Sequence, residues 1–253
     1  MMRRFTVRQI EKQPEPSCMA ELRREIKRIT KESGQEVSNK DWSIVSGEQK
    51  QAMREALNQE QFGLCAYCMV RILSEQFIDE ILPSGMKIEH FEPRDSHADR
   101  MFDWDNLLGV CGGIYHSPNG PIHHCDDSRG CQPLHVNPAT SSPPHSEDVF
   151  QYNLTGKLSI IPCGDCGESD CPYCSDLKVL NLNADHLIQN RRSVLEDLQT
   201  ELRKIGSKDE SKIPKFLRDR YKLATVPHNN QLPPYAPVAA KYLQKKLRQR
   251  GLL

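Results

Sequence analysis

The pair Cys65-Ala66-Tyr67-Cys68 limits what this chain can fold into more than any other feature, because a CxxC turn sets two sulfurs on one side of a tight knuckle. Ten cysteines occur in 253 residues, and eight of them fall at Cys65/Cys68, Cys111/Cys125, Cys163/Cys166 and Cys171/Cys174. The opening Met1-Met2-Arg3-Arg4-Phe5 has no apolar stretch behind its arginines, so no signal peptide is expected and the protein is expected to be soluble and cytoplasmic. In a reducing compartment such spacing favours zinc over disulfides. Cys18 and Cys131 are left over and are expected to be buried thiols.

Zinc takes four thiolates in a tetrahedron. Cys65 and Cys68 supply two, and Cys111 with Cys125 is the expected second pair, the Gly/Pro-rich residues 112–121 forming the loop between them. His123, His124 and Cys131 are rivals for the fourth position. The run Cys163-Gly-Asp-Cys166-Gly-Glu-Ser-Asp-Cys171-Pro-Tyr-Cys174 has four thiols of its own and is expected to hold a second structural zinc. A closed site of four thiolates has no open position for substrate, so neither zinc is expected to catalyse.

Between the zinc ligands stands a second set of residues. Hydrolysing a phosphodiester takes an activated water, a cation on the scissile phosphate and help for the leaving oxygen. His90, with an ordinary pKa near ~6.5, suits the task of taking a proton from water. Glu89 and Asp126 are oxygen donors fit for Mg²⁺ or another hard divalent ion. Asn106 is placed to hydrogen-bond across the loop and hold the histidine, and Arg129 to reach a phosphate oxygen. A lone Glu-His pair is weak evidence; the ordered set between cysteines carries the signal.

Around this centre the periodicity is mainly helical. Leu22, Ile26 and Ile29 mark an amphipathic helix over 19–31 that stops at Gly34, and a second helix is expected from Ser46 to Phe62. The cysteine-framed segment reads as loops around short strands, and residues 132–148 as a proline-rich connector. A β-hairpin is expected over 150–162 with Thr155-Gly156 at the turn. Helices follow over about 185–205, capped by Asn183 or Asp185, then 214–223 and 235–250. The expected class is α+β: a zinc-stapled ββα-metal core at 63–140, a helical N-terminal part at 1–62, and a C-terminal part at 141–253, mostly helical overall.

Charge is uneven although it sums to zero. Residues 61–185 carry 7 basic and 18 acidic side chains, and residues 186–253 carry 15 and 6. An acidic middle suits metal, and a basic tail suits a phosphate backbone or an acidic partner. No apolar run approaches the ~18 residues of a membrane span.

The motifs Cys65-Ala-Tyr-Cys68, Ile88-Glu89-His90, Asn106-Leu-Leu-Gly-Val-Cys111 and His124-Cys125-Asp126-x-x-Arg129-Gly130 resemble those of HNH endonucleases. More closely, the chain resembles the PtuB-like group encoded beside retrons and in Septu anti-phage systems. Gln132-Pro-Leu-His-Val-Asn-Pro138, Val179-Leu-Asn-Leu-Asn183, Asn190-Arg-Arg192 and Leu232-Pro-Pro-Tyr235 extend the likeness over nearly the whole chain. The resemblance implies a nuclease acting as a toxic effector of anti-phage defence. In it His90 is the general base, Asn106 the middle Asn, Asp126 the last HNH position, and Glu89 stands where Asp is usual. It also implies a PtuA-like ATPase as partner and, in retrons, a reverse transcriptase with its DNA–RNA hybrid. Asp126 departs from the usual His or Asn, Arg129 replaces a Lys, and the Cys163–Cys174 run is an insertion.

Two other classes compete. A non-catalytic zinc-binding adaptor for nucleic acid or protein explains the thiols but leaves Glu89, His90 and Asp126 without purpose. A CxxC thiol redox protein lacks the βαβ context such motifs need.

Overall fold

The computed structural model describes residues 9–34, 41–73, 85–140, 142–161 and 171–253. Helix α1 (Ser17–Ser33) buries Met19 and Leu22 and ends at Gly34, whose φ of 67° lets its N–H reach Thr30 O. Helix α2 (Gly47–Glu60) starts from a capping box: Ser46 accepts from the Gln49 N–H, and the Gln49 side chain accepts from the Ser46 N–H. Before α1, residues 9–16 run extended as a strap. Ile10 N–H donates to Pro138 O, and Lys12 pairs with Glu60 at 2.7 Å while donating to Leu107 O.

Helix α2 packs on a two-stranded antiparallel sheet, β1 (Lys87–His90) and β2 (Leu107–Val110). Glu89 stands opposite Leu108, and His90 opposite Leu107. The Gln61 side chain finishes this sheet, accepting from Gly109 N–H and donating to Gly109 O, both at 2.7 Å. A Cβ on Gly109 would lie 2.4 Å from the Met86 methyl, so a side chain here would push that flexible tip aside. Then come a hairpin, β3 (Ile114–Ser117) and β4 (Gly120–His123), and a four-residue helix α3 (Asp126–Arg129). The order around the centre is strand, strand, short helix, with the hairpin inserted before the helix.

The connector carries one turn of helix, α4 (Ser146–Val149), and leads into β5 (Phe150–Tyr152) and β6 (Leu158–Ile160), with Gly156 at the turn. Helix α5 (Pro172–Val179) follows, and its buried Asp176 accepts from the His135 and Val136 N–H groups, pinning the connector. Three longer helices close the chain against one another: α6 (Asp185–Gly206), α7 (Ile213–Thr225) and α8 (Ala236–Gln249). Leu195, Leu217, Val238 and Leu243 are buried there.

The architecture is α+β as expected, with helices carrying most of the regular structure and the sheets confined to two-stranded pairs. One expected cap is corrected. Asn183 does not cap α6, which has Ala184 at its N-cap; the Asn183 amide pairs instead with Leu158 N–H and O on β6. Among the described residues no helix is long and apolar enough to cross a membrane.

Candidate metal centre and active site

The CxxC knuckle is a tight reversal in which Cys65 N–H donates to Val70 O and Met69 N–H to Cys65 O, with Met69 at a φ of 66°. Cys111 follows the last residue of β2, and Cys125 precedes α3 at a φ of 55°. All four thiols are buried, and their sulfurs lie within 4.8 Å of one another. Cys68 Sγ is 3.7 Å from Cys111 Sγ, and Cys65 Sγ is 4.0 Å from Cys125 Sγ. Thiolates ~2.3 Å from a tetrahedral ion stand ~3.8 Å apart, so this set fits a structural zinc.

Of the rivals for the fourth position, two sit elsewhere and one lies beside the thiols. Cys131 is exposed, correcting the expectation that it is buried, and its thiol meets Asp95 at 3.1 Å. His123 is exposed and bonded to Asp127. His124 is buried beside the thiols, with Nδ1 3.2 Å from Cys125 Sγ, as a partner of a ligand. In the second thiol run, Cys163 and Cys166 lie outside the described residues. Of the other two, Cys171 is half-buried and Cys174 buried.

His90 ends β1 and is 7% exposed. Its Nε2 lies 3.0 Å from Met101 O, and Trp42 packs on it edge-on with ring centroids 4.7 Å apart. With Nε2–H donating to that carbonyl, Nδ1 keeps its lone pair. Burial pulls the imidazole down to about 4, so it is neutral near pH 7. Asn106 closes the loop after His90: its Oδ1 accepts from Glu92 N–H at 2.7 Å, and its Nδ2 donates to Glu92 O and Arg100 O. Those bonds tie the two ends of the loop together.

Glu89 is 8% exposed, and the Asp126 carboxylate is its near neighbour. Burial and that neighbour push it up to about 8, with Arg129 pulling the other way. Asp126, at the start of α3, is partly open, and Lys87 Nζ stands 3.4 Å from both its Oδ2 and Asp127 Oδ1. Two neighbouring carboxylates favour a proton or a cation near them, and that donor chemistry fits a hard divalent ion. Among the described residues only the four cysteines gather three or more metal-type donor atoms this closely.

Arg129 requires a correction. It is 1% exposed; its Nε donates to Gln132 O, its Nη1 faces the Tyr67 hydroxyl, Glu89 Oε1 and His90 O, and its Nη2 donates to Phe91 O. A guanidinium buried this deeply does not reach a phosphate at the surface. Arg129 is an internal brace that welds α3 to β1.

Sequence reasoning missed Trp42, Tyr67, Lys87, Met101 and Asp127. Tyr67 had a readable signal, since it lies inside the knuckle and goes where the thiols go. Lys87 and Asp127 adjoin singled-out residues. Trp42 and Met101 come from distant segments that nothing in the motif marks.

Fold and site together define an α+β protein built around a four-thiol centre fit for zinc, with a histidine and two carboxylates at its side. No family model matches the chain. It is similar to the Septu protein PtuB of Bacillus thuringiensis, with 29% identity over 108 residues, which are 43% of this chain and 37% of that protein. The chain thus matches little more than a third of that relative's length.

Proposed function

We propose that the chain is a divalent-metal-dependent HNH endonuclease of Septu-type anti-phage defence, with residues 63–140 as the nuclease unit and a PtuA-like ATPase as partner. The observation that supports it most is the placing of His90 at the end of β1, Asn106 just before β2 and Asp126 at the start of a short helix, around the buried thiols. The similarity to PtuB supports the setting.

In this reading His90 is the general base. Trp42 and Met101 O fix its ring, which leaves Nδ1 to accept the proton of the attacking water. A base held near 4 is weak. The negative charge of an arriving phosphodiester strengthens it, because a nearby opposite charge favours the imidazolium. Asn106 keeps the 91–106 loop, and with it Met101 O, in place. Glu89 and Asp126 would hold the divalent ion, which when bound supplies a more acidic water and charge neutralisation at the phosphate. Lys87 neutralises Asp126 and Asp127 until substrate and ion arrive.

The test is cleavage of duplex DNA, single-stranded DNA and total tRNA by the wild type and His90→Ala, each with its ATPase, with and without Mg²⁺. Cleavage that needs both His90 and the ion is expected, and the variant should fall by ~10²–10⁴-fold. Cleavage surviving in His90→Ala would overturn the assignment. A zinc-loaded wild type that binds nucleic acid but cuts none of the three, with ATPase present, would point to the adaptor.

A further inference from the structure

The part of the chain bearing the candidate active site has the wrong charge to attract a polyanion. Residues 61–185 carry a formal −11, from 7 basic and 18 acidic side chains. Three of the cations near the site are already engaged, Lys87 with Asp126 and Asp127, Arg100 with Glu92 and Asp103, Arg129 with Glu89, while Arg94, within electrostatic reach of His90, has no ion pair among the described residues. Phosphates approaching Glu89 and Asp126 therefore meet repulsion unless another surface supplies attraction.

Residues 186–253 have the opposite balance, a formal +9. Helix α8 contains no acid, and it exposes Lys245 and Arg248, with Arg250 just beyond its end. Helix α7 exposes Lys215, Arg218 and Lys222 at spacings of three and four, beside the acid Asp219. The ion pairs of this region among the described residues engage Arg192, Lys212 and Arg220, and leave those six cations unpaired. Aromatic rings lie among the cations. Lys246 Nζ is 5.6 Å from the Tyr242 ring centroid, and Arg248 lies within electrostatic reach of Tyr221 on α7.

The basic helices are also fastened to the metal centre. Tyr235, at the start of α8, donates its N–H to Met69 O of the knuckle at 3.0 Å. At the start of α6, His186 stacks on Tyr115 of β3 at 4.2 Å, and Cys125 N–H donates to Leu180 O. A polymer held on these helices is thus held at a fixed relation to the site.

We infer that the exposed basic face of α7 and α8 docks the sugar–phosphate backbone of a nucleic acid, independently of base sequence. That the docked polymer is also the substrate rests on the nuclease reading; the docking does not.

The experiment uses the full, zinc-loaded chain carrying His90→Ala, so that nothing is cut. Binding of a short labelled DNA duplex and of a single-stranded RNA is followed by fluorescence anisotropy between about 50 and 200 mM salt. Lys245→Glu/Arg248→Glu/Arg250→Glu is compared with it, and Lys215→Glu/Lys222→Glu serves as a second variant should the first lose zinc or helicity. At least one polymer should bind with steep salt dependence. The triple variant should weaken it by ~10-fold or more and flatten the log–log salt slope by ~2–3.

Unchanged affinity and slope in a folded variant would overturn the inference. So would an absence of salt-sensitive binding to either polymer, which would give the face to an acidic protein instead. Cleavage is assayed in parallel with His90 restored. If nothing is cut but face-dependent binding persists, the nuclease reading fails and the docking surface stands. If His90-dependent cleavage is found and the triple variant binds and cuts as well as its parent, the reverse holds.

Discussion

Glu89 and Arg129 meet in a hydrogen-bonded contact inside the protein, with side chains 10% and 0% exposed. The guanidinium also binds the carbonyls of His90 and Phe91, so one side chain fixes the backbone at and after the candidate base. Removing it leaves a buried carboxylate and several carbonyls without donors. Arg129→Ala is expected to destabilise the fold by ~3–5 kcal/mol in urea unfolding. Arg129→Lys, with three donors for five acceptors, should cost about 2 kcal/mol. A phosphate-binding arginine would instead lower cleavage and leave stability within ~0.5 kcal/mol.

Asn106 has a comparable position on the other side of His90. It is 1% exposed, and its amide bridges Glu92 and Arg100 across the loop. In Asn106→Ala the Glu92 N–H loses its partner, at a cost of ~1–3 kcal/mol. Because Met101 O then moves relative to Nε2, kcat should fall by more than the change in KM. A variant with altered KM and unchanged kcat would put Asn106 in substrate binding.

How much of this was legible in the sequence differs by residue. The four thiols were readable, since zinc demands a residue type and spacing that chance rarely supplies, and the Gly/Pro-rich 112–121 announced the loop between Cys111 and Cys125. Helices α1, α2, α6, α7 and α8 followed from apolar periodicity, to within a few residues. Arg129 was misread because an arginine in a motif shows its charge but not its burial. That burial depends on Tyr67, Glu89 and Phe91 closing around it. Trp42 gave no sign of meeting His90, since the contact spans segments with no shared pattern. Asn183 looked like a cap, yet the hairpin β5–β6 offered its amide two backbone partners.

Stability should depend on pH in opposite senses through His90 and Glu89. Burial holds His90 at about 4 in the fold, against ~6.5 unfolded. The unfolded chain therefore binds more protons in that window, and the stability present above pH ~6.5 is lost as pH falls toward 4. His186, also pulled down to about 4 by burial, adds to this loss, so His90→Gln should remove only part of the acid slope in the urea midpoint. Glu89 is raised to about 8, and its contribution, full below pH ~4.3, is lost as pH rises through 8. Glu89→Gln should abolish that decline between pH ~4.3 and 8; an unchanged profile would mean that Arg129 keeps the carboxylate ionised throughout.

The thiol centre should decide whether the parts of the chain stay together. Cys125 N–H binds Leu180 O ahead of α6, and Met69 O, beside Cys68, receives the N–H that opens α8. Losing the ion frees the knuckle and Cys125, whose φ of 55° costs a non-glycine residue about 1–3 kcal/mol and needs its ligand bonds to persist. Metal analysis should find tightly held zinc that Cys68→Ser or Cys111→Ser removes, and Cys131→Ser does not. Stripping it with a strong chelator should expose the chain to protease near residues 65–73 and 111–125, and refolding should require zinc. Dissociation should also occur as the thiolates take up protons in mild acid, releasing the ion with a steep pH dependence. If Cys68→Ser and Cys111→Ser leave both zinc content and protease resistance unchanged, the four buried thiols are packing residues and the knuckle stands on its backbone bonds alone.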